Sequence, residues 1–448
     1  MSNKQSHRFT AVFNDYGMLG VLLLLCVYFS WVTLDDQHPN GESGGSQLAE
    51  TITDQFDSGT TVLIIARKTK EDTEFTKALQ FGLEARGLTV VEVVQGQPRD
   101  ARRALTKVAE SGTSLDLIAC NQATLQWSFF ENIQEKFPQF QGLKLLAPKS
   151  YRWPNFMKLD NLLNIANQIV VIAVIAIGMT LVIITAGIDL SVGSLIAFSA
   201  VVSTLLIRET AGAEEAGAMG MILCCIAAIL ACGIIGGFSG AMITWFSIPP
   251  FIVTLGMMLV ASGFAYIIAD GQSIYQVPES FNRLGIGADF AGIPNAVLVM
   301  IFLYLAAHIL MSRTALGRYI YAVGGNKEAA RLSGIPVKAV ILLVYTISGL
   351  LAGFGGIIMA SQLKSGAPTY GVMYELYVIA AVVVGGTSLH GGEGRVFGTL
   401  IGAFIIAVIQ NGMNLTNVES YTQKVVLGFV ILGAVLLDNL KKKKWSTG

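Results

Sequence analysis

The chain has 448 residues, of which 53% are hydrophobic and only 13% charged, with 48 glycines and a formal net charge of zero. A soluble chain carries about 25% charged residues, so an ordinary soluble protein is excluded, and no overall charge is present to attract nucleic acid. Cys26, Cys224, Cys225 and Cys232 lie in apolar runs and Cys120 is alone in a polar block, so there is no disulfide framework. His7, His38, His308 and His390 lack metal-site spacing.

Residues 1–34 read as a short N-terminus carrying Lys4 and Arg8, then a first membrane helix. No small-x-small cleavage site follows the apolar run, so a retained anchor is expected rather than a removed signal. Residues 35–58, rich in Asp, Gly, Ser and Gln, read as a flexible linker, with a reach on the order of 25–30 Å.

Residues 59–153 alternate strand and helix patterns. Thr61–Ala66, Thr89–Val94, Leu115–Cys120 and Leu143–Ala147 are short apolar runs. Between them lie three helical faces: Phe75, Leu79 and Leu83; Ala104, Leu105 and Val108; and Leu125, Phe129 and Ile133. The pattern predicts a small parallel sheet with helices on both faces. Ligands on such sheets gather at the carboxyl ends of the strands, which makes Arg67, Lys68, Gln95 and Asn121 the candidate ligand positions. No Gly-x-Gly-x-x-Gly follows the first strand, which argues against a dinucleotide site.

Residues 154–440 hold further apolar runs at 163–185, 193–208, 218–243, 250–269, 293–311, 338–360, 376–390, 396–412 and 422–438. With the first run this makes about ten spans, some short enough to be broken or re-entrant. The fold class is therefore a polytopic α-helical membrane protein with a small inserted α/β extracytoplasmic domain. Glycine pairs four apart (233/237, 236/240, 349/353 and 398/402) suit close helix contacts.

The stretch Gly178–Leu195 interrupts its apolar run at Gly-Ile-Asp-Leu-Ser. Irregular chain at bilayer depth must line protein or water. Asp189 is thus a pathway candidate, with a helix cap supported by Ser191 and Ser194 as the plainer role. Tyr374 and Glu375 open another membrane segment, where helix-start stabilisation competes with cargo contact. The loop 312–338 carries Arg313, Arg318, Lys327, Arg331 and Lys338, and the tail 441–448 carries Lys441 to Lys444. The positive-inside rule puts both in the cytoplasm, and ten crossings put the N-terminus there as well. The polar block is then extracytoplasmic. A short helix at Lys327–Ser333 is expected in the loop, capped by Asn326 and ended by Gly334 and Pro336.

Glu328-Ala329-Ala330 followed by Gly334 resembles the EAA-and-glycine coupling loop of ABC permeases. The Gly178–Leu195 stretch, the loop Gly317–Val337, the run Val382–Ala403 and the ending Leu437-Asp438-Asn439 occur in that order. Together they resemble the permease subunits of ribose, xylose and galactose-type ABC importers. That resemblance implies alternating access at a permease dimer, a homodimer or a heterodimer, for a monosaccharide. It assigns Asn326, Glu328, Ala329, Ala330 and Gly334 to ATPase coupling. No Gly-x-x-x-x-Gly-Lys-Ser/Thr is present. The chain is therefore expected to bind no cofactor and to be no enzyme itself, with ATP and Mg on a separate ATPase subunit in the bacterial inner membrane.

The block 59–153 resembles one lobe of the sugar-binding proteins that serve such importers. A docking or gating lid, a remnant and a direct sugar binder all remain open for it, and so does the need for a separate periplasmic binding protein. The rival readings of the whole chain are an ion-coupled secondary transporter using Asp189 and a membrane-anchored solute sensor.

Overall fold

The computed structural model describes residues 2–131, 133–140 and 142–446, with side chains from 17 to 436 apart from 132, 134 and 141. The side chains of Lys4, Arg8 and Lys441 to Lys444 lie outside the described residues. The chain divides into two compact units, one comprising Met1–Thr33 with Asn155–Gly448 and the other Leu34–Pro154.

The smaller unit opens with strand β1 (Leu34–Gln37), which pairs antiparallel with β6 (Tyr151–Pro154). Its sheet contains β2 (Thr61–Ala66), β3 (Thr89–Gln95), β4 (Leu117–Cys120) and β5 (Lys144–Leu146), all parallel, in the order β3-β2-β4-β5. Alternation along β2 explains why both faces are covered. Val62, Ile64 and Ala66 join the core beneath helices α2 (Gly41–Gln55) and α3 (Lys70–Glu84). Leu63 and Ile65 join the core beneath α4 (Pro98–Glu110). This is the side-chain period of two that a fully buried strand requires.

Two expectations are corrected in this unit. The linker assigned to 35–58 is β1 followed by the four-turn helix α2, whose Leu48, Ala49 and Ile52 are buried. Its glycines allow close packing rather than disorder: a β-carbon at Gly45 would strike the Phe75 carbonyl, and one at Gly82 of α3 would sit 2.6 Å from the Ala49 β-carbon. The helical face Leu125/Phe129/Ile133 is broken into α5 (Gln122–Leu125), a 3-10 turn at Ser128–Phe130 and α6 (Ile133–Lys136). Trp127 stacks on Phe130 at 6.2 Å and Phe137 sits 6.1 Å from Phe140. These aromatic contacts bury the segment without a continuous helix.

The larger unit begins with α1 (Ser2–Val32) and continues through α7 (Leu159–Ile184), α8 (Val192–Leu206), α9 (Ala218–Trp245), α10 (Pro250–Ile268) and α11 (Asn295–Arg313). Then come α12 (Ala315–Gly325), α13 (Lys327–Leu332), α14 (Val337–Leu363), α15 (Tyr374–Val384), α16 (Val396–Leu415) and α17 (Ser420–Ser446). Among the described residues seven helices are long and apolar enough to cross a membrane, and Gly17–Val32, Tyr374–Val384 and Ser420–Leu436 are shorter apolar helices. This is a polytopic helical membrane protein.

Helices α7 and α14 form the centre. Ile169 to Ile184 of α7 are buried without a break. α14 meets α9 through facing glycines, with the Gly236 and Gly349 backbones so close that a β-carbon on either would strike the other helix. Small residues give such approach, and dispersion rather than hydrophobic burial holds it in lipid. Polar bonds join two further helices to α7: Tyr304 Oη of α11 donates to the Ala173 carbonyl at 2.8 Å, and Thr180 and Thr399 link α7 to α16 at 2.8 Å.

Candidate functional site

Helix α7 ends at Ile184, and the next seven residues are not helical. Ala186 takes the left-handed conformation, with φ of 59°. Gly187 N donates to the Val182 carbonyl at 3.0 Å, closing the helix end in a Schellman-like turn. The chain then carries Asp189 into the protein, where only 1% of its surface is exposed. Oδ1 accepts from Ser191 N at 3.1 Å and from Ser191 Oγ at 2.6 Å, and Oδ2 accepts from Ser348 Oγ of α14 at 2.8 Å. Thr254 Oγ1 of α10 donates to the Ile188 carbonyl at 3.1 Å. The break is therefore stitched to two other helices by neutral donors. Tyr345, one turn before Ser348, is fully buried with its hydroxyl against Gly187 and unpartnered among the described residues. Ser194 lies half-buried on the first turn of α8.

Helix α8 begins inside the bundle rather than at its rim, and the start of α15 lies against its first turn. Ser199 Oγ of α8 donates at 2.7 Å to the carbonyl of Gly353, near the middle of the 27-residue α14. One and a half turns earlier on α8, Gly193 meets the Glu375 carboxylate and the Gly371 carbonyl, leaving no room for a β-carbon. The segment before α15 departs from helix geometry, with Gly371 and Met373 at φ of 71°. Glu375 thus approaches the first turn of α8, where unpaired amides and the helix dipole favour an acid. The Tyr374 and Tyr377 rings meet edge to face at 6.3 Å. Asp189, Ser191 and Glu375 all gather at the start of α8.

The loop 312–338 is two helices rather than one. α12 was not anticipated; its cap is Thr314, whose Oγ1 accepts from Gly317 N. Asn326 Oδ1 accepts from Ala329 N at 2.9 Å and starts α13. Gly334, with φ of 81°, ends it, and Ile335 N returns to the Ala330 carbonyl at 3.0 Å. Ala330 is buried, whereas Glu328 is exposed and pairs with Arg331 at 2.7 Å. Leu332 is 84% exposed, an apolar side chain offered outward beside that ion pair.

In the smaller unit the strand-end residues Arg67 and Asn121 are tied together through Asp72 and Asn40. Arg67 Nε donates to Asp72 Oδ2 at 2.9 Å, Asn40 Nδ2 donates to Asp72 Oδ1 at 2.8 Å, and Asn121 Nδ2 donates to Asn40 Oδ1 at 3.2 Å. Burial alone would raise the Asp72 carboxyl, but its bonds to Arg67, Asn40 and Asn121 outweigh that and hold it below the usual range. Gln95 is bonded to Thr76, and Lys68 is exposed. Burial pushes the Cys120 thiol up to about 12, which leaves it an inert core residue.

Sequence reasoning missed Ser348, Tyr345 and Asn40. Each is supplied from a distant part of the chain or from the segment read as linker. The spacing of Tyr345 and Ser348 on one helix face was a usable signal.

The profile of the family described as the permease component of the branched-chain amino acid transport system matches residues 161–435. This chain belongs to that permease family. It is 45% identical over 305 residues to the ribose import permease protein RbsC of Escherichia coli K12, covering 67% of this chain and 92% of that protein. It is 42% identical over 316 residues to the RbsC of Bacillus subtilis, covering 70% and 95%. The D-allose transport system permease protein AlsC of E. coli K12 is 38% identical over 288 residues, covering 64% and 86%. No solved structure matches the chain.

Proposed function

We propose that this permease is the membrane-spanning subunit of an ATP-driven importer for a monosaccharide, of the ribose or allose kind. The observation that carries the reading is α13: a capped helix with exposed Glu328 and Leu332, in a basic loop, on a chain 45% identical to a ribose import permease. A separate ATPase subunit would hold ATP and Mg, dock on α13 and convert its own closure into motion of α12 and α13. A second permease copy would complete the pathway. The positive charge of the loop supports a cytoplasmic α12 and α13, with α7 running toward the cytoplasm and the smaller unit extracytoplasmic.

The cargo is expected to be neutral and hydroxyl-rich, met where the start of α15 lies against the first turn of α8. Discontinuous helices are the means by which many transporters expose backbone groups at bilayer depth. The three neutral donors around Asp189 support a structural cap over ion coupling. In the smaller unit Arg67, Gln95 and Asn121 are engaged internally, which supports a docking or gating lid over direct sugar binding.

Gentle purification of the tagged chain from its native membrane tests the reading. A stoichiometric P-loop ATPase should accompany it. A clean homo-oligomer that carries no ATPase and moves solute down an ion gradient would overturn it.

A further inference from the structure

The three segments that meet beneath α7 belong to distant parts of the chain. Gly392 N donates to the Ile184 carbonyl at 2.8 Å, so the loop 385–395 caps the last turn of α7 from outside. Gly324 of α12 lies against that same carbonyl, with no space for a β-carbon and with Gly392 N 2.6 Å from where one would stand. Tyr321, one turn earlier on α12, donates from Oη to the Gly394 carbonyl at 2.7 Å. The loop is closed on itself by Ser388 N to the Glu393 carbonyl at 3.1 Å. It therefore moves as a piece, and it runs directly from α15 into α16.

We infer that Tyr321 is a positioning residue for transport: its hydroxyl carries the motion of α12 into the loop 385–395 and so to both half-helix starts. This rests on the importer reading above. A backbone contact such as Gly324 on Ile184 resists compression but transmits little pull. A directed hydrogen bond resists separation more strongly, so the bond from Tyr321 draws the loop after α12 when α12 withdraws. From the loop the displacement reaches α15 and Glu375 in one direction. In the other it passes through Ile184 and the 185–191 break to Asp189 and the start of α8. Tyr321 does not touch the cargo site; it acts through the loop.

The test is Tyr321→Phe in the complete transporter, reconstituted with its ATPase subunits, with sugar uptake and ATP hydrolysis measured on the same vesicles. Assembly and ATP hydrolysis should persist, while sugar moved per ATP falls about three- to tenfold, the scale of one hydrogen bond. Tyr319→Phe, a partly exposed tyrosine on the same helix, should leave the ratio unchanged. An unchanged ratio in Tyr321→Phe overturns the inference, as does a parallel loss of uptake and hydrolysis through failed assembly. Failure of the importer reading looks different: the unmodified transporter itself would then move no sugar on ATP.

Discussion

Ser348 and Asp189 are 159 residues apart in sequence and share a 2.8 Å hydrogen bond inside the protein. The bond ties α14, the helix that leaves the α13 turn, to the break that starts α8. Asp189 Oδ2 has no other donor among the described residues, so removing the serine hydroxyl strands a buried carboxylate oxygen. Ser348→Ala should therefore cost about 1–3 kcal/mol, read as a lower thermal midpoint of the purified protein. Asp189→Ala, which frees Ser191 as well, should cost more. If Ser348→Ala leaves the midpoint unchanged, the bond does not hold the break.

Asp189→Asn separates architecture from ion coupling. An amide keeps an acceptor oxygen for Ser191, loses the charge, and puts an NH2 donor where Oδ2 accepts from Ser348, whose hydroxyl can turn to accept instead. Uptake should be retained to within a few-fold if the side chain is a cap. Complete loss of uptake in a variant that still folds would mean that the charge itself is used.

Asn326→Ala should remove the cap of α13, at a cost of about 1 kcal/mol. A six-residue helix has little else to hold it. The expected result is weaker capture of the ATPase subunit in detergent pull-down, with membrane insertion unaffected. Asn326→Asp, which can still accept from Ala329 N, should restore capture.

The smaller unit should lose local stability in acid. Asp72 has a folded pKa below its unfolded value. Its contribution is thus fully present above the unfolded carboxylate range and is lost as pH falls through the depressed value. Hydrogen-exchange protection factors at the ends of β2 and α3, taken relative to the intrinsic rate at each pH, should fall on acidification, and Asp72→Asn should flatten that dependence. An unaltered pH profile in Asp72→Asn would show that another group controls it.

Much of this fold was legible because its signals are local. Apolar runs marked the long helices, and β-branched or leucine-rich runs marked the four parallel strands of the smaller unit. Asn326 and Gly334 mark the ends of α13 by residue type alone. What could not be read depended on distant partners. Gly41 to Gln55 has a linker's composition, yet its glycines are contact points against α3, visible only once Phe75 is opposite. α12 was hidden because Gly317, Gly324 and Gly325 lower helix propensity, while Gly324 is required by the nearby Ile184 carbonyl. At the candidate site, Asp189 stood out as an acid in an apolar run. Its partner Ser348 is one of three small hydroxyl residues in α14, marked locally by nothing but its one-turn spacing from Tyr345.

The most direct measurement is sugar uptake into vesicles holding the permease and its co-purified ATPase, with ATP and ion gradients varied independently. The account predicts that accumulation of ribose or a related monosaccharide requires ATP and the ATPase, and persists when proton and sodium gradients are collapsed. Uptake by the permease alone, driven by an ion gradient and abolished by Asp189→Asn, would contradict it.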